Sequence, residues 1–591
     1  MGALIRCRSQ REVLRLFFIL VSAPLDLVAI GRVSVDLYGQ QIGSPLEDIA
    51  TFAKAIGGCP ANIAVGTARL GLRSALLTRV GDEPLGRFVR AQLAREGVDT
   101  RAIGIDAQRL TPLVLLAVCD RDSFPLVFYR ENCADSVLGP GDVPEELIAA
   151  ARTVLVTGTH FALAPGAQAQ RKAIAVARAH HRKVILDIDY RPNLWGLGGH
   201  DAGASRYARS ARVTGTLAAV LPDCDLIVGT EEEMHIAAGS EDTLEAVRRI
   251  RARSGATLVV KRGAAGCVVF AAGPPPRHLE DGLIVPGMPI EVYNVLGAGD
   301  AFLAGYLRGY LRDASAAQCA RYANACGALA VSRLLCSVEF PSLTELEYYL
   351  AHGSRERALR FDRELNHLHW VTTARHGPGE VRAVLADREE APRAIEALAH
   401  AGGAGAAAGL LLAADADAGV RRAALRDGGW VGQELEPPGA HARLIEWPAG
   451  VTVVCRHAPD AAEGLAQTYA ACRAQGRELV VVVGSAAPPA QAMEQIYARG
   501  IRPDWWALAA PADPGILEAC SRAIAAGDAY CRGVLVLLED APEGAAQRLA
   551  VAAASPIVRG FVAAGSILGP AGVVEGFRAL TEAWQAAKER H

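Results

Sequence analysis

The chain is 591 residues long, more than one hydrophobic core organises, so two or more domains are expected. Its net charge is −3 and it carries no basic block, which argues against a nucleic-acid partner. The 13 cysteines form no C-x-x-C pair and show no metal-ligand spacing against histidine, a pattern of reduced thiols in a cytoplasmic enzyme.

In chain order, Arg6, Arg8, Arg11 and Arg15 precede the apolar run LFFILVSA, which mimics a short signal peptide. We read residues 1–25 as an N-terminal extension, because the first strand begins at DLVAIGR. No run reaches membrane-spanning length, so no membrane partner is expected. From 26 to 352, the strand-like runs SALLTRVG, RTVLVTG, KVILDID, CDLIVG and TLVVKRG alternate with amphipathic runs such as GRFVRAQLAREG. This alternation predicts a mostly parallel sheet covered by helices. VDLYGQQIG and the run before Ala55 have no helix between them. Ligands in such sheets bind at the carboxyl ends of the strands, where GTEEE, KRGAAG and LGAGD fall.

Two short motifs carry candidate chemistry. Gly57 and Gly58 open GGCPAN, where two glycines allow close backbone approach and Asn62 offers hydroxyls both a donor and an acceptor. Residues 294–300 read NVLGAGD, and the apolar run AFLAGYLRGYL follows. Gly297, Ala298 and Gly299 let N–H groups converge where a helix adds the positive end of its dipole, roughly half a charge. Asp300 in that place repels a phosphate; it suits a base that takes a hydroxyl proton while the amides hold the charge on a transferred phosphoryl group. Each motif alone equally describes a turn capping a buried helix.

The order and separation of the two motifs resemble the ribokinase-like (pfkB) carbohydrate kinases. The stretches IGRVSVDLYGQQIG, LTRVGDEPLGRFVRAQLAREGVDT, PLVFYRENCADS, VILDIDYRPNLWG and RYANACGALAVSR are similar to its 5-dehydro-2-deoxygluconokinase branch over residues 26–350. The resemblance implies an α/β sandwich with a small β lid, ATP and Mg²⁺, and a sugar-acid substrate. It places Asp36 on the sugar hydroxyls and Arg130 and Arg191 on the substrate carboxylate, for which an arginine fork is suited; structural pairing of these arginines with Asp187 or Asp189 stays open. It places Lys261, Gly263 and Gly266 of KRGAAG, with Asn324, at the nucleotide, and Glu233 near the metal. A tight turn and a backbone-bonded helix asparagine remain the plain alternatives for KRGAAG and Asn324. Thr230 replaces the family's Asn three residues before Glu233, and Leu296 stands where Thr or Ser is usual. Activation by a monovalent cation is a further implication, without ligands assigned here; a homo-oligomer is also open.

Residues 353–378 are charged and irregular and read as a linker, with surface histidines at His367 and His369. From 379 to 591, VRAVLAD, GLLLAAD, RLIEWP, VTVVCRH, ELVVVVG, DWWALAA, GVLVLLED and VRGFVAAGS predict a (β/α)8 TIM-barrel-like domain. It resembles the aldolase-like domain fused behind some of these kinases. The Ala/Gly-rich piece 401–418 reads as a poorly specified helix leading into GLLLAAD. A Schiff-base aldolase needs a barrel lysine, yet the only lysine after Lys261 is Lys588. His457, Asp460, Asp504 and Glu539 are too few and too dispersed for a metal aldolase, so the barrel reads as degenerate, with a regulatory or oligomeric role. A 2-keto-3-deoxygluconate kinase, a bifunctional kinase–aldolase and a non-catalytic sugar-acid sensor stay open beside the leading reading.

Overall fold

The computed structural model describes residues 24–590, apart from 121–122, 200–206, 376, 388, 393, 396–406, 427–428, 436–439, 458–461, 485–486, 540–542 and 569–571. Nearly all of the N-terminal extension, the start of the Ala/Gly-rich piece and Asp460 therefore lie outside the described residues. Two compact units divide between Thr373 and Ala374.

The first unit holds β1 (Leu27–Ile30), β2 (Ser34–Gly39), β3 (Phe52–Gly57), β4 (Ser74–Gly81), β5 (Ile103–Asp106), β6 (Leu113–Leu116), β7 (Leu126–Tyr129), β8 (Thr153–Thr157), β9 (Lys183–Asp187), β10 (Leu226–Thr230), β11 (Thr257–Lys261), β12 (Cys267–Phe270) and β13 (Leu283–Val285). Nine of these form one sheet in the order β13-β12-β11-β10-β9-β8-β1-β4-β5. It is parallel from β11 to β5; β12 pairs antiparallel with β11, and β13 antiparallel with β12. Helices cover both faces, so central strands are apolar throughout rather than alternating. In β1 all four residues are buried; Val28 and Ile30 pack into one core, Leu27 and Ala29 into the other.

A separate four-stranded sheet, β3-β2-β6-β7, is the lid. Its β2–β3 pair is the helix-free connection seen in the sequence, with Asp36 opposite Ala55. The helices that matter for the site are α1 (Cys59–Arg69), α2 (Glu231–Ala238), α3 (Ala298–Tyr310) and α4 (Ala316–Val331).

The expected linker is largely folded. Residues 363–369 form α5 (Arg363–His369), whose Leu365 and Leu368 are buried in the first unit. His367 is buried too, and His369 Nδ1 lies 3.0 Å from the fully buried Glu345 carboxylate, so neither is a surface histidine. Most of the charges that suggested a linker lie before the helix, and its own Arg363 is exposed.

The second unit is a closed barrel of eight parallel strands: β14 (Val381–Ala386), β15 (Ala407–Leu412), β16 (Trp430–Glu434), β17 (Val451–His457), β18 (Leu479–Val483), β19 (Trp505–Ala509), β20 (Gly533–Leu538) and β21 (Val558–Ala564). Two expectations fail locally. RLIEWP is not a strand: it overlaps the helix Ala440–Glu446, with Leu444 buried and its neighbour Ile445 exposed, and the third strand is WVGQE. The Ala/Gly-rich piece 401–418 also contains the whole of β15 rather than a continuous helix.

Candidate active site

Two glycines before α1 let the lid and the helix meet. A Cβ on Gly57 would lie 2.0 Å from the Asp36 carboxylate oxygens. Gly58 has φ 98°, and a Cβ there would lie 2.6 Å from the Arg32 carbonyl oxygen, so a side chain is excluded twice over. Pro60, the second residue of α1, brings a fixed φ to its first turn. The helix then presents Asn62, whose Nδ2 donates to Asp300 Oδ2 at 2.8 Å.

Asp300 sits in the first turn of α3. The N-cap is Gly297, at φ 78°, where a Cβ would lie 2.6 Å from Cys336 Sγ. Asn294 sets the approach: its Oδ1 accepts from the Leu296 amide at 3.0 Å and its Nδ2 donates to the Leu334 carbonyl at 2.6 Å. The Ala298 amide donates to the Val295 carbonyl at 3.2 Å, which leaves the Gly299 and Asp300 amides at the helix mouth, where the dipole is positive. Lys261, at the end of β11, reaches the same point; its Nζ would lie 3.1 Å from a Cβ on Gly299. An ammonium beside two first-turn amides is suited to a phosphate.

Burial raises Asp300 above the ordinary carboxylate range, Asp189 adds to this, and Asn62, Cys59 and Lys261 oppose it. Burial also pushes Asp36 up to about 6, against the Ser34 hydroxyl 2.6 Å away and Arg32. Lys261 lies 3.5 Å from Asp187 and 3.6 Å from Glu233. Burial would lower it, but the two acids outweigh burial and it keeps its proton. Of those acids, Glu233 is lowered, against its burial, by Lys261 and by the Thr230 and Tyr190 amides that donate to it, whereas Asp187 is raised by burial.

Asp36, Gly58, Asn62, Arg191, Gly297 and Asp300 line one cleft beneath the lid. Arg130 is engaged elsewhere: Nε and a terminal nitrogen donate to fully buried Asp135 at 3.0 and 2.9 Å. Asn324, on α4, donates to the Val285 and Pro286 carbonyls at 3.2 and 2.9 Å. Gly266 abuts the same segment, since a Cβ there would lie 2.1 Å from the Val285 oxygen. Gly263, at φ 54°, opens the turn between β11 and β12 into free space.

Sequence reasoning missed Arg32, whose guanidinium donates to both Asp189 carboxylate oxygens at 2.9 Å inside the site. Its signal is a charge inside the otherwise apolar run AIGRVSV. Asp189 takes φ 35°, a left-handed conformation that concentrates at functional sites. Cys59 was missed as well: its Sγ and the Asp187 and Asp300 carboxylates lie within 4.8 Å of one another. A thiol does not fit Mg²⁺, which takes oxygen ligands. Glu233, expected near the metal, accepts one backbone amide on each carboxylate oxygen and lies 3.6 Å from Lys261.

Residues 25–343 match the pfkB family carbohydrate kinases. The chain belongs to that family. It is an ATP-dependent sugar kinase with a ribokinase-like fold. Residues 389–572 match a family described only as an uncharacterized protein conserved in bacteria. A 5-dehydro-2-deoxygluconokinase of Geobacillus kaustophilus is 30% identical over 342 residues, covering 57% of this chain and 97% of its own. One from Bacillus subtilis is 29% identical, covering 54% and 94%. A PfkB protein from Polaromonas has a solved structure at 28% identity and TM-score 0.47, covering 55% and 99%. Among the described residues, no helix is long and apolar enough to cross a membrane.

Proposed function

We propose that the first unit phosphorylates the terminal hydroxyl of 5-dehydro-2-deoxy-D-gluconate, giving the 6-phosphate, a step of myo-inositol breakdown. The observation that carries the chemistry is Asp300: a half-buried carboxylate in the first turn of α3, held by Asn62 and lining the lid cleft. The substrate's identity rests on the relatives named 5-dehydro-2-deoxygluconokinase.

Asp300 accepts the hydroxyl proton as the oxygen attacks the γ-phosphorus of ATP. The γ-phosphoryl group moves to that oxygen and ADP leaves with the bridging oxygen's electron pair. The Gly299 and Asp300 amides and the Lys261 ammonium hold the negative charge spread over the equatorial oxygens. Asp36 accepts hydrogen bonds from sugar hydroxyls, and Arg191 takes the carboxylate. Arg130 orders Asp135 and the lid instead of touching substrate. Magnesium bound to the ATP phosphates would offset part of their charge; no side chain here is assigned as its direct ligand. A supply of ATP puts the reaction in the cytoplasm.

ATP turnover with 5-dehydro-2-deoxygluconate and 2-keto-3-deoxygluconate, measured side by side with Asp300→Asn as blank, tests the reading. We expect a strong preference for the first acid. Turnover of only the second keeps the mechanism and overturns the substrate; turnover of neither favours a sugar-acid sensor.

A further inference from the structure

The acids and cations of the active site are matched unevenly. Asp187, at the end of β9, lies 3.5 Å from Lys261. Two residues on, both Asp189 carboxylate oxygens accept from one terminal nitrogen of Arg32 at 2.9 Å. Asp300 faces the same cluster. Its carboxylate, the Asp187 carboxylate and Cys59 Sγ lie within 4.8 Å of one another, and Asp187 in turn accepts the Asp189 amide at 3.3 Å. Yet the hydrogen bond that holds Asp300 comes from Asn62, which carries no charge. The paired cations stand on the neighbours of the base, and the base itself is left with a neutral donor.

Arg32 is costly where it stands. It is 8% exposed, and its Nε has no hydrogen-bond partner. An apolar side chain of similar length would fold there at less cost. It lines the lid cleft together with Asp36 and Asp300. Asp189 holds φ 35°, a conformation that asparagine tolerates and most side chains do not.

We propose that Arg32 is a positioning residue of the phosphoryl transfer: by holding the Asp189 carboxylate it offsets the charge beside the base, so that Asp300 is ionised when the sugar hydroxyl arrives. This rests on Asp300 as the base and not on which sugar acid is bound. Asp189 is among the groups that raise Asp300, and Arg32 attracts Asp300 directly. Other groups face the base as well. Lys261 keeps its proton, and Arg191 lines the cleft. Asp36 and Asp187 repel Asp300 as Asp189 does. Burial holds Cys59, Cys336 and Tyr38 neutral, well above their usual values. His160, near Arg32, is pushed down to about 3 by burial, Arg130 and Arg32, so it adds no charge.

Two readouts on the full chain test the pair: the kcat–pH profile with ATP and sugar acid, and the infrared carbonyl band of the protonated base, identified as the band that Asp300→Asn removes. Arg32→Met leaves Asp189 uncompensated, so the acid limb and the band's midpoint should both move to higher pH. Asp189→Asn suits the left-handed φ and leaves Arg32 uncompensated, so both should move to lower pH. The double variant restores neutrality, and both should return to the wild-type position. A merely structural role lowers the melting midpoint or kcat without moving the two single variants in opposite directions. Limb and band unmoved, or moved the same way in both, overturn the proposal and leave the kinase reading standing. A band that shifts while the limb stays rejects Asp300 as the base and overturns both. The band needs no substrate, so it decides alone if neither acid is turned over. If Arg32→Met does not fold, Asp189→Asn decides, and a midpoint that stays or rises overturns the proposal.

Discussion

At the residue scale, the active site is a set of acids whose burial is tolerated because each has a specific partner. Asp300→Asn removes the base but keeps the bulk and one acceptor. Turnover should fall roughly 10²–10⁴-fold, while calorimetric binding of ATP and sugar acid persists. Activity within tenfold of wild type rejects Asp300 as the base. The acid limb of the kcat–pH profile belongs to the same carboxylate. Its pKa lies above the ordinary value, so activity is present above that raised pKa and lost as pH falls through it. Asn62→Leu removes a hydrogen bond that lowers it, so the limb should move to higher pH. A limb that stays in place in this variant assigns it to another group.

Asp36 makes the complementary case for stability. Its folded pKa, about 6, exceeds the ordinary 3.8. The neutral form is therefore favoured by folding: that contribution is fully present below about pH 4 and is lost as pH rises through 6. Asp36→Asn should raise the melting midpoint at neutral pH, by at most roughly 3 kcal/mol of stability, and abolish sugar binding. The gain should vanish near pH 4. Thermal melts at the two pH values check this; an equal effect at both removes ionisation as its cause.

At the element scale, the fold was legible where one rule sufficed. Buried parallel strands are runs of apolar residues, and KVILD, LIVGT and TLVVK need no tertiary information to be found. The rule fails where packing decides. WVGQE has a glycine and two polar residues and looks like a turn, yet Gln433 is buried and bonded to Arg421. RLIE is apolar enough for a strand, yet its two apolar residues point to opposite environments on a helix. The motif residues Asp36, Asn62 and Asp300 were legible because their glycines mark close approach. Arg32 and Asp189 were not, because their pairing spans 157 residues and leaves no local periodicity. Arg130 was expected at the substrate carboxylate, but it pairs with Asp135 five residues on, a local contact that competes with that role.

The segment before Ala374 turns this into a test. A cut near residue 355, at the edge of the expected linker, removes Leu365, Leu368 and Trp370, all buried, and the His369 contact to Glu345. Each large apolar side chain contributes about 1.5–3 kcal/mol on burial. Glu345, held down to about 2 by Arg333 and His369 against its burial, also loses a partner. A fragment ending at Thr373 should keep kinase turnover and a cooperative melt. The fragment ending at 355 should melt lower or aggregate. Equal melting of the two would return α5 to the status of a linker.

At the scale of the whole molecule, the second unit keeps the barrel architecture and lacks the group that imine chemistry requires. Its one lysine, Lys588, is on the last helix, and Nζ donates to the carbonyl of Val558, the first residue of β21, at 3.1 Å. The first residue of a strand lies at the amino end of the barrel, opposite the mouth at the carboxyl ends, where Glu434, Arg456 and Glu539 meet. Among the described residues of this unit, no three His, Cys, Asp or Glu side chains converge at metal-ligating distance. A carbonyl compound at the mouth cannot reach this amine. We therefore expect borohydride reduction of the full chain, incubated with a keto sugar acid and its 6-phosphate, to leave the mass of the C-terminal peptides unchanged. A stable adduct on Lys588 would mean that the last helix leaves its place, and would restore the aldolase reading in its Schiff-base form.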